Sequence, residues 1–415
     1  MRGFAKNYIL LAVGLILTIA VGAASYSIVN RTNAPARSLQ VPVLANGFAE
    51  AGAARALFTA RLKASEKAEP GANAVRLARL GFGHEPLAAQ GLPVLVRSLA
   101  ADGQALKSVQ FLELAGKITR RNKLVNAMLI DREVAMQRPE RAVLLLGRAM
   151  AVSNEVRSFY INRLALATAD PKAMPAFVDL LGSEPEWAAD YWSAVLRNSV
   201  AAPQAGELRL RIAGPPWNRK TPRDTDFELI AQLASRNYWD LASNLSQALG
   251  LRSTPGSFLA NVDFARAPRF VPFDWELIQT GEVGSSVEKG HLVVSGLPGT
   301  SVVAARQMIA LPGSGSYRLD WKLSGLDSAA GADVKFRLSC PDQGRAGGPV
   351  TPVPLSEGAG SRTLFVPPSA CRWYWATVEL DTSLSDAGVD LVIDRLALVR
   401  SDADAVRPTP PEAAR

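Results

Sequence analysis

Tyr8–Val29 is a run of twenty-two residues without a charged side chain, and no other feature of the chain limits its fold so strongly. A helix rises about 1.5 Å per residue, so roughly 20 apolar residues cross a hydrocarbon core of about 30 Å. Arg2 and Lys6 precede the run, the cationic flank that tends to stay in the cytoplasm. Nothing later is comparably long and uncharged, so about 385 of the 415 residues are expected on one side of a membrane. The alternative is a cleaved signal peptide, because Gly22-Ala23-Ala24 offers the small residues a signal peptidase takes. The apolar region of such a peptide is usually about 7–15 residues, shorter than this one. Arg31 and Arg37 follow the span closely and weaken the charge asymmetry. The reading adopted is an uncleaved, single-pass anchor in a bacterial inner membrane, with the bulk of the chain periplasmic.

A chain of this length is expected to form more than one domain. Charge divides it in two. Arg31 to Arg252 holds 29 basic and 20 acidic residues, whereas Thr254 to Arg415 holds 15 and 18. A basic body in an exported chain would draw an acidic polymer, anionic headgroups or an acidic protein, and its location argues against nucleic acid.

The residue pattern marks out the domains. Residues 1–30 form the stub and anchor, and residues 31–47, with Pro35 and Pro42, read as a linker. Residues 48–252 are rich in Ala, Leu and Arg at helical spacing. After a second linker at 253–260, residues 261–400 change to short β-branched and aromatic runs broken by Gly, Pro, Ser and Asp. Residues 401–415, with Pro408-Thr409-Pro410-Pro411, read as a disordered tail.

Within the helical part, Val109, Phe111, Leu112, Ala115, Ile118 and Thr119 match Val143, Leu145, Leu146, Ala149, Val152 and Ser153 at a constant offset of 34. That is the period of tetratricopeptide (TPR) units. Leu124 to Ala135 supplies the first helix of the second unit, and Phe227–Ser235 with Trp239–Leu249 forms a later pair. A plain helical bundle would show the same apolar pattern. The expectation is a short TPR-like α-solenoid whose concave face takes a protein partner. Arg120, Arg121 and Lys123 fall in a turn between units and are candidate contacts for an acidic partner; a solvated turn is the plainer reading. Gly214 to Pro222 holds too many prolines for a helix interior, and Trp217 is expected to pin this loop to the body.

In the rear part, Tyr317-Arg318-Leu319-Asp320-Trp321-Lys322-Leu323 alternates apolar with charged residues, as does Lys335-Phe336-Arg337-Leu338. Such strands have one buried and one wet face, the habit of antiparallel sheets. About eight short strands over residues 261–400 suggest a two-sheet sandwich or jelly roll. Cys340 and Cys371 stand at strand ends. In an oxidising compartment they are expected to form a disulfide worth about 3 kcal/mol, two buried thiols being the alternative. Trp373 and Trp375 lie two apart and share a strand face, with Tyr374 opposite. They and Trp321 are candidate glycan-contacting aromatics, although strand aromatics more often fill cores.

Catalysis and cofactor binding find little support in the residues. His84 and His291 lie in different regions, neither cysteine is in a CxxC pair, and Gly344-Arg345-Ala346-Gly347-Gly348 lacks the strand–helix setting of a phosphate cradle. Asp320 and Glu379 are an acidic pair of the kind any globular chain offers. No catalytic, cofactor or metal residue is assigned.

Asn261-Val262-Asp263-Phe264, Pro272-Phe273-Asp274-Trp275-Glu276-Leu277 and Leu391-Val392-Ile393-Asp394-Arg395-Leu396-Ala397-Leu398 resemble the opening and closing strands of jelly rolls of the carbohydrate-binding-module type. With the 34-residue units, the exported part is similar to bacterial membrane-anchored TPR proteins with a C-terminal jelly roll, some associated with exopolysaccharide production. The resemblance implies a polysaccharide ligand on the sandwich. In many such jelly rolls an acidic residue after the opening Phe helps hold a structural calcium; here Ala265 takes that place, and Asp394 is present. The function expected is a non-catalytic, membrane-anchored periplasmic scaffold that assists exopolysaccharide or envelope-polysaccharide assembly or export. The alternatives are a purely protein-binding scaffold of an envelope or secretion complex and, further off, a glycan-cleaving enzyme.

Overall fold

In the computed structural model the chain packs as two compact units, residues 1–191 and 192–415. The structure describes residues 2–40, 46–65, 68–152, 157–327, 330–341, 350–368 and 371–401. The expected tail from residue 402 onward and the Gly344–Gly348 motif lie outside the described residues.

The first unit opens with helix α1 (Arg2–Asn33). Its stretch Ala12–Asn30 has a mean hydropathy of 2.0 and is long and apolar enough to cross a membrane. Just past it the chain turns into the single-turn helix α2 (Pro35–Ser38) and then α3 (Gly47–Ala64). These elements are tied back onto α1 by a small polar cluster. Ser38 Oγ donates to the Ser27 carbonyl at 2.9 Å, and Asn46 Nδ2 donates to Ser27 Oγ at 2.8 Å. Asn46 also caps α3, its Oδ1 accepting from the Ala49 N–H at 3.1 Å. So part of the stretch expected as a linker carries ordered helix and buried hydrogen bonds.

Helix α4 (Ala72–His84) lies against α3 at backbone distance. A Cβ on Gly81 would come within 2.8 Å of the Ala51 nitrogen, so only glycine fits there. Helices α5 (Leu92–Ala101), α6 (Ala105–Ile118), α7 (Lys123–Ala135) and α8 (Pro139–Val152) follow, joined by short turns. Short connections between packed helices make them antiparallel neighbours. Leu112 and Ala115 of α6 and their counterparts 34 residues on, Leu146 and Ala149 of α8, are all buried. Helices α9 (Arg157–Ala167), α10 (Met174–Gly182) and α11 (Ala188–Leu196) complete the run.

The second unit begins at Trp192, within α11, and continues with α12 (Ala202–Ala213), α13 (Asp224–Ser235) and α14 (Trp239–Ala248). The proline-rich segment between α12 and α13 is a loop, as expected, but the anchor visible in its hydrogen bonds is Arg209 rather than Trp217. The fully buried guanidinium donates to the Arg219 carbonyl at 2.7 Å and the Thr221 carbonyl at 3.2 Å. It also grips both Asp226 oxygens, at 2.7 and 2.9 Å. Every acceptor around this buried charge is paired, which is the condition for keeping an ion pair in a core.

Among the described residues, ten strands then form two antiparallel sheets. They are β1 (Glu276–Leu277), β2 (Val283–Glu288), β3 (His291–Gly296), β4 (Ser301–Ala310), β5 (Gly315–Ser324), β6 (Asp333–Ser339), β7 (Val353–Leu355), β8 (Gly358–Val366), β9 (Trp373–Asp381) and β10 (Val389–Arg400). The first sheet runs β1-β4-β9-β6-β7 and the second β2-β3-β10-β5-β8. The alternation read from the sequence places Tyr317, Leu319, Trp321 and Leu323 of β5 and Val334, Phe336 and Leu338 of β6 in one core. Cys340 and Cys371 form a disulfide with Cα atoms 6.1 Å apart, joining the end of β6 to the approach to β9.

Candidate functional site

The central strand of the first sheet, β9, sorts its residues by period two. Tyr374, Ala376, Val378 and Leu380 enter the core, which leaves Trp373, Trp375, Thr377, Glu379 and Asp381 on the outer face. Cross-strand register then assembles that face. Arg306 of β4 and Arg337 of β6 both stand opposite Thr377, and Glu276 of β1 stands opposite Arg306. Met308 and Ser339 flank Trp375, and Val303 and Lys335 flank Glu379.

Two bidentate ion pairs hold this surface. Arg306 donates to Glu276 at 2.6 and 3.1 Å, and Arg337 to Glu379 at 2.6 and 2.9 Å. Paired parallel N–H···O bonds fix both partners in one plane, as a single contact does not. The Arg306 guanidinium also lies over the Trp375 ring, 4.4 Å from its centroid, a cation–π contact that orients the indole. Lys335 sits 3.7 Å from Asp381 and 3.8 Å from Asp333. Hydrogen bonds from Ser383, then the charge of Lys335, hold the Asp381 carboxyl below the ordinary carboxylate range. Glu379 raises the Arg337 guanidinium further above its ordinary value, so the pair stays charged.

One end of the face is closed. Trp373 is 7% exposed and meets the Phe273 ring edge-on at 5.5 Å. The Met308 N–H donates to the Pro272 carbonyl at 2.7 Å, laying that segment over the sheet. Phe270 packs on Phe227 of α13 at 5.1 Å, and Arg372 pairs with Asp240 of α14 at 3.0 Å. The last helix pair thus covers the Trp373 end and leaves the Trp375 end open.

Of the aromatics singled out in the sequence, only Trp375 reaches an open surface. Trp373 lies under Phe273. Trp321 is a core residue: it is 6% exposed, its Nε1 donates to the Ser356 carbonyl at 3.0 Å, and its ring lies against Gly360, where a Cβ would collide with the indole. Trp321 points inward because it shares the parity of Leu319 and Leu323, which is a correction to its reading as a ligand contact. Arg120, Arg121 and Lys123 are exposed around the turn from α6 to α7. Lys123 lines a cavity of about 470 Å³ together with Arg55 and Lys63 of α3. The sequence alone does not bring Glu276, Arg306 and Arg337 to this surface, and it offers Glu379 only as half of an acidic pair with Asp320. The alternation of β9 signalled one wet face, but which residues stand beside Trp375 depends on register.

The outer face of the second sheet is built differently. Asp394 accepts from Lys322 at 2.7 Å and pairs with His291 at 2.8 Å, and these partners, Lys322 first, hold its carboxyl low. A calcium ion takes six to eight oxygen ligands. With a methyl group at Ala265 and both Asp394 oxygens already engaged by Lys322 and His291, these residues do not fit that ion. His84 pairs with Glu50 at 2.7 Å in the first unit, so the two histidines serve separate carboxylates. Asp320, bonded to Arg318 and Ser361, and Glu379 belong to opposite sheets and face outward on opposite sides, so they do not form an acid pair.

No protein-family model and no curated protein matches the chain. Solved structures that resemble part of it include TmCBM61 in complex with β-1,4-galactotriose, 19% identical over 35% of this chain and 99% of that one, with a TM-score of 0.25. A CBM4 structure is 13% identical over 34% of this chain and 99% of that one, with a TM-score of 0.26. Arabinose-bound MgGH51 α-L-arabinofuranosidase is 14% identical over 36% of this chain and 28% of its own length, with a TM-score of 0.27.

Proposed function

We propose that the open half of the first sheet's outer face binds a glycan, and that the protein is a non-catalytic, membrane-anchored accessory factor in exopolysaccharide or envelope-polysaccharide assembly or export. The observation that carries the reading is Trp375 on the central strand, held under Arg306 and set among two bidentate Arg–carboxylate pairs. A sugar ring presents an apolar C–H face that packs on an indole and hydroxyls that both donate and accept. The carboxylates of Glu276 and Glu379 accept from such hydroxyls, and the guanidiniums donate to them. Because each pair is already locked, little side-chain freedom is lost on binding.

The anchoring part of the reading is supported by the length and hydropathy of Ala12–Asn30. Export is supported by the Cys340–Cys371 disulfide, a bond that persists in oxidising compartments and is rare in the cytosol. The repeated burial pattern of α6 and α8 supports a TPR-like array as the scaffold part.

The test is binding of the full-length chain in lipid nanodiscs to an array of bacterial polysaccharides. Retention by at least one polysaccharide, lost on Trp375→Ala, is the expected result. Retention by none would overturn the proposal.

A further inference from the structure

In the second unit, the turn from α13 to α14 and the facing side of α12 enclose a pocket of about 380 Å³, and none of its residues belongs to the open face around Trp375. A glycine keeps its walls close: a Cβ on Gly206 of α12 would come within 2.8 Å of Leu233 and 3.0 Å of Leu241. At the turn, Asn237 takes the left-handed conformation that asparagine tolerates, with φ 67°. Tyr238 and Trp239 follow it directly. The Trp239 indole is fixed through its Nε1, which donates to the Ala234 carbonyl at 3.0 Å, and Tyr238 is 45% exposed.

The lining is rich in electrons and holds no cation. Besides the two aromatic rings it has the carboxylates of Glu207 and Asp240 and the amides of Gln204 and Asn237. Arg372 pairs with Asp240 at 3.0 Å and offsets that charge. Glu207, exposed on α12, has no ion-pair or hydrogen-bond partner among the described residues. The Tyr238 phenol and the Gln204 amide are likewise unengaged there. Groups of three kinds therefore converge on one accessible space: an aromatic pair, neutral amides and an uncompensated negative charge. A cation is drawn to an aromatic face by the ring quadrupole, and a carboxylate beside that face adds a charge-assisted hydrogen bond.

We propose that this pocket binds a glycan unit with a free amine, a protonated hexosamine. Its ammonium donates to Glu207, its C–H face lies on Tyr238 and Trp239, and its hydroxyls meet Gln204 and Asn237. A phosphate or a uronate finds no cation in the lining. A lysine side chain supplies the ammonium, but no hydroxyls for the amides and no flat ring for the aromatics. The inference rests on the reading of this unit as glycan-binding and names a sugar class for it, at a second place with its own residues.

Isothermal titration of the full-length chain in neutral-lipid nanodiscs tests it. The probe is β-1,4-tetraglucosamine, in buffer acidic enough to keep its amines charged. Binding about tenfold tighter than that of the tetra-N-acetylated oligomer is expected, because acetylation removes the charge. This preference should vanish in Glu207→Gln with Tyr238→Ala, both exposed positions, and persist in Trp375→Ala. Equal binding of the acetylated oligomer, a preference kept by the double variant, or equally tight binding of tetralysine would overturn the proposal. Loss of the preference in Trp375→Ala alone would also overturn it, while leaving the open-face reading intact. A preference that depends on Glu207 and Tyr238, in a chain that no polysaccharide on the array retains, would support this site and sink the open-face reading.

Discussion

On the outer face of the first sheet, two arginines each grip a carboxylate through two nitrogens, and one of them also lies over an indole. On the outer face of the second, Asp394 gathers Lys322 and His291 through one contact each, and Asp320 gathers Arg318 and Ser361. Both faces are charged and paired, yet their central strands differ. Strand β9 brings Trp375 to its open surface, whereas β10 brings Val392 and Asp394. The second face does have an exposed aromatic, Phe365, but it stands on the edge strand β8 opposite Ser316. Charge content alone therefore does not separate the two faces; planar pairs locked beside an aromatic on a central strand do.

The largest effects that sharpen this contrast fall on stability and should leave the open face intact. Arg209→Ala strips Asp226 of its buried partner and frees the loop carbonyls under the helices that cover the Trp373 end. A loss of about 3–5 kcal/mol is expected from urea unfolding. Trp321→Ala empties a core position and should cost about 3–5 kcal/mol, against less than about 1 kcal/mol for Trp375→Ala, whose ring is partly exposed. If Trp375→Ala proved the more destabilising, the indole would be a packing element and the comparison would fail.

Next in size, replacing Cys340 and Cys371 by alanine opens a loop with a sequence separation of 31 and should cost about 3–4 kcal/mol in the chain-entropy model. Only the first sheet is tied this way among the described residues. Added reductant should therefore lower the wild-type unfolding midpoint and leave the double variant unmoved.

Acid titration separates a buried carboxyl from a partly exposed, paired one by sign. Burial pushes the Asp274 carboxyl up, partly opposed by the Trp275 N–H and the charge of Arg266. The folded chain then holds this proton more tightly than the unfolded one, so stability falls as pH rises from the ordinary carboxylate range through the raised pKa. Asp394 runs the other way: its carboxyl is held low, and its contribution is present above the ordinary carboxylate range and lost as pH falls through the depressed pKa. Urea midpoints of Asp274→Asn and Asp394→Asn between pH 3 and 7 should lose slopes of opposite sign. The smallest effect is expected of Lys322→Ala, an exposed pair worth less than about 1 kcal/mol, with glycan retention unchanged.

Much of this fold was legible because the two periodicities are local. The alternation of Tyr317–Leu323 and the 34-residue match of Leu112 and Ala115 with Leu146 and Ala149 need no knowledge of distant residues. Cysteine placement at strand ends led to the disulfide for the same reason. What was hidden depends on register and long-range packing. Glu276 and Arg306 are 30 residues apart and meet only because β1 pairs with β4. Trp373 and Trp375 share a face, and nothing in their own strand tells that Phe273 and α13 would cover one and spare the other. The parity of Trp321 is local too, shared with Leu319 and Leu323, and it points the ring into the core. Arg209 and Asp226 are 17 residues apart and meet only where the proline loop closes over them.

The central claim is that Trp375 and its locked neighbours form the glycan surface while the second sheet does not. The direct measurement is retention of the full-length chain, in nanodiscs, on the polysaccharide that binds the wild type best, for Trp375→Ala beside Phe365→Ala. The account predicts that Trp375→Ala loses about thirtyfold in affinity, the loss of about 2 kcal/mol typical of a central contact, while Phe365→Ala stays within twofold. Loss in Phe365→Ala with Trp375→Ala unchanged would contradict it.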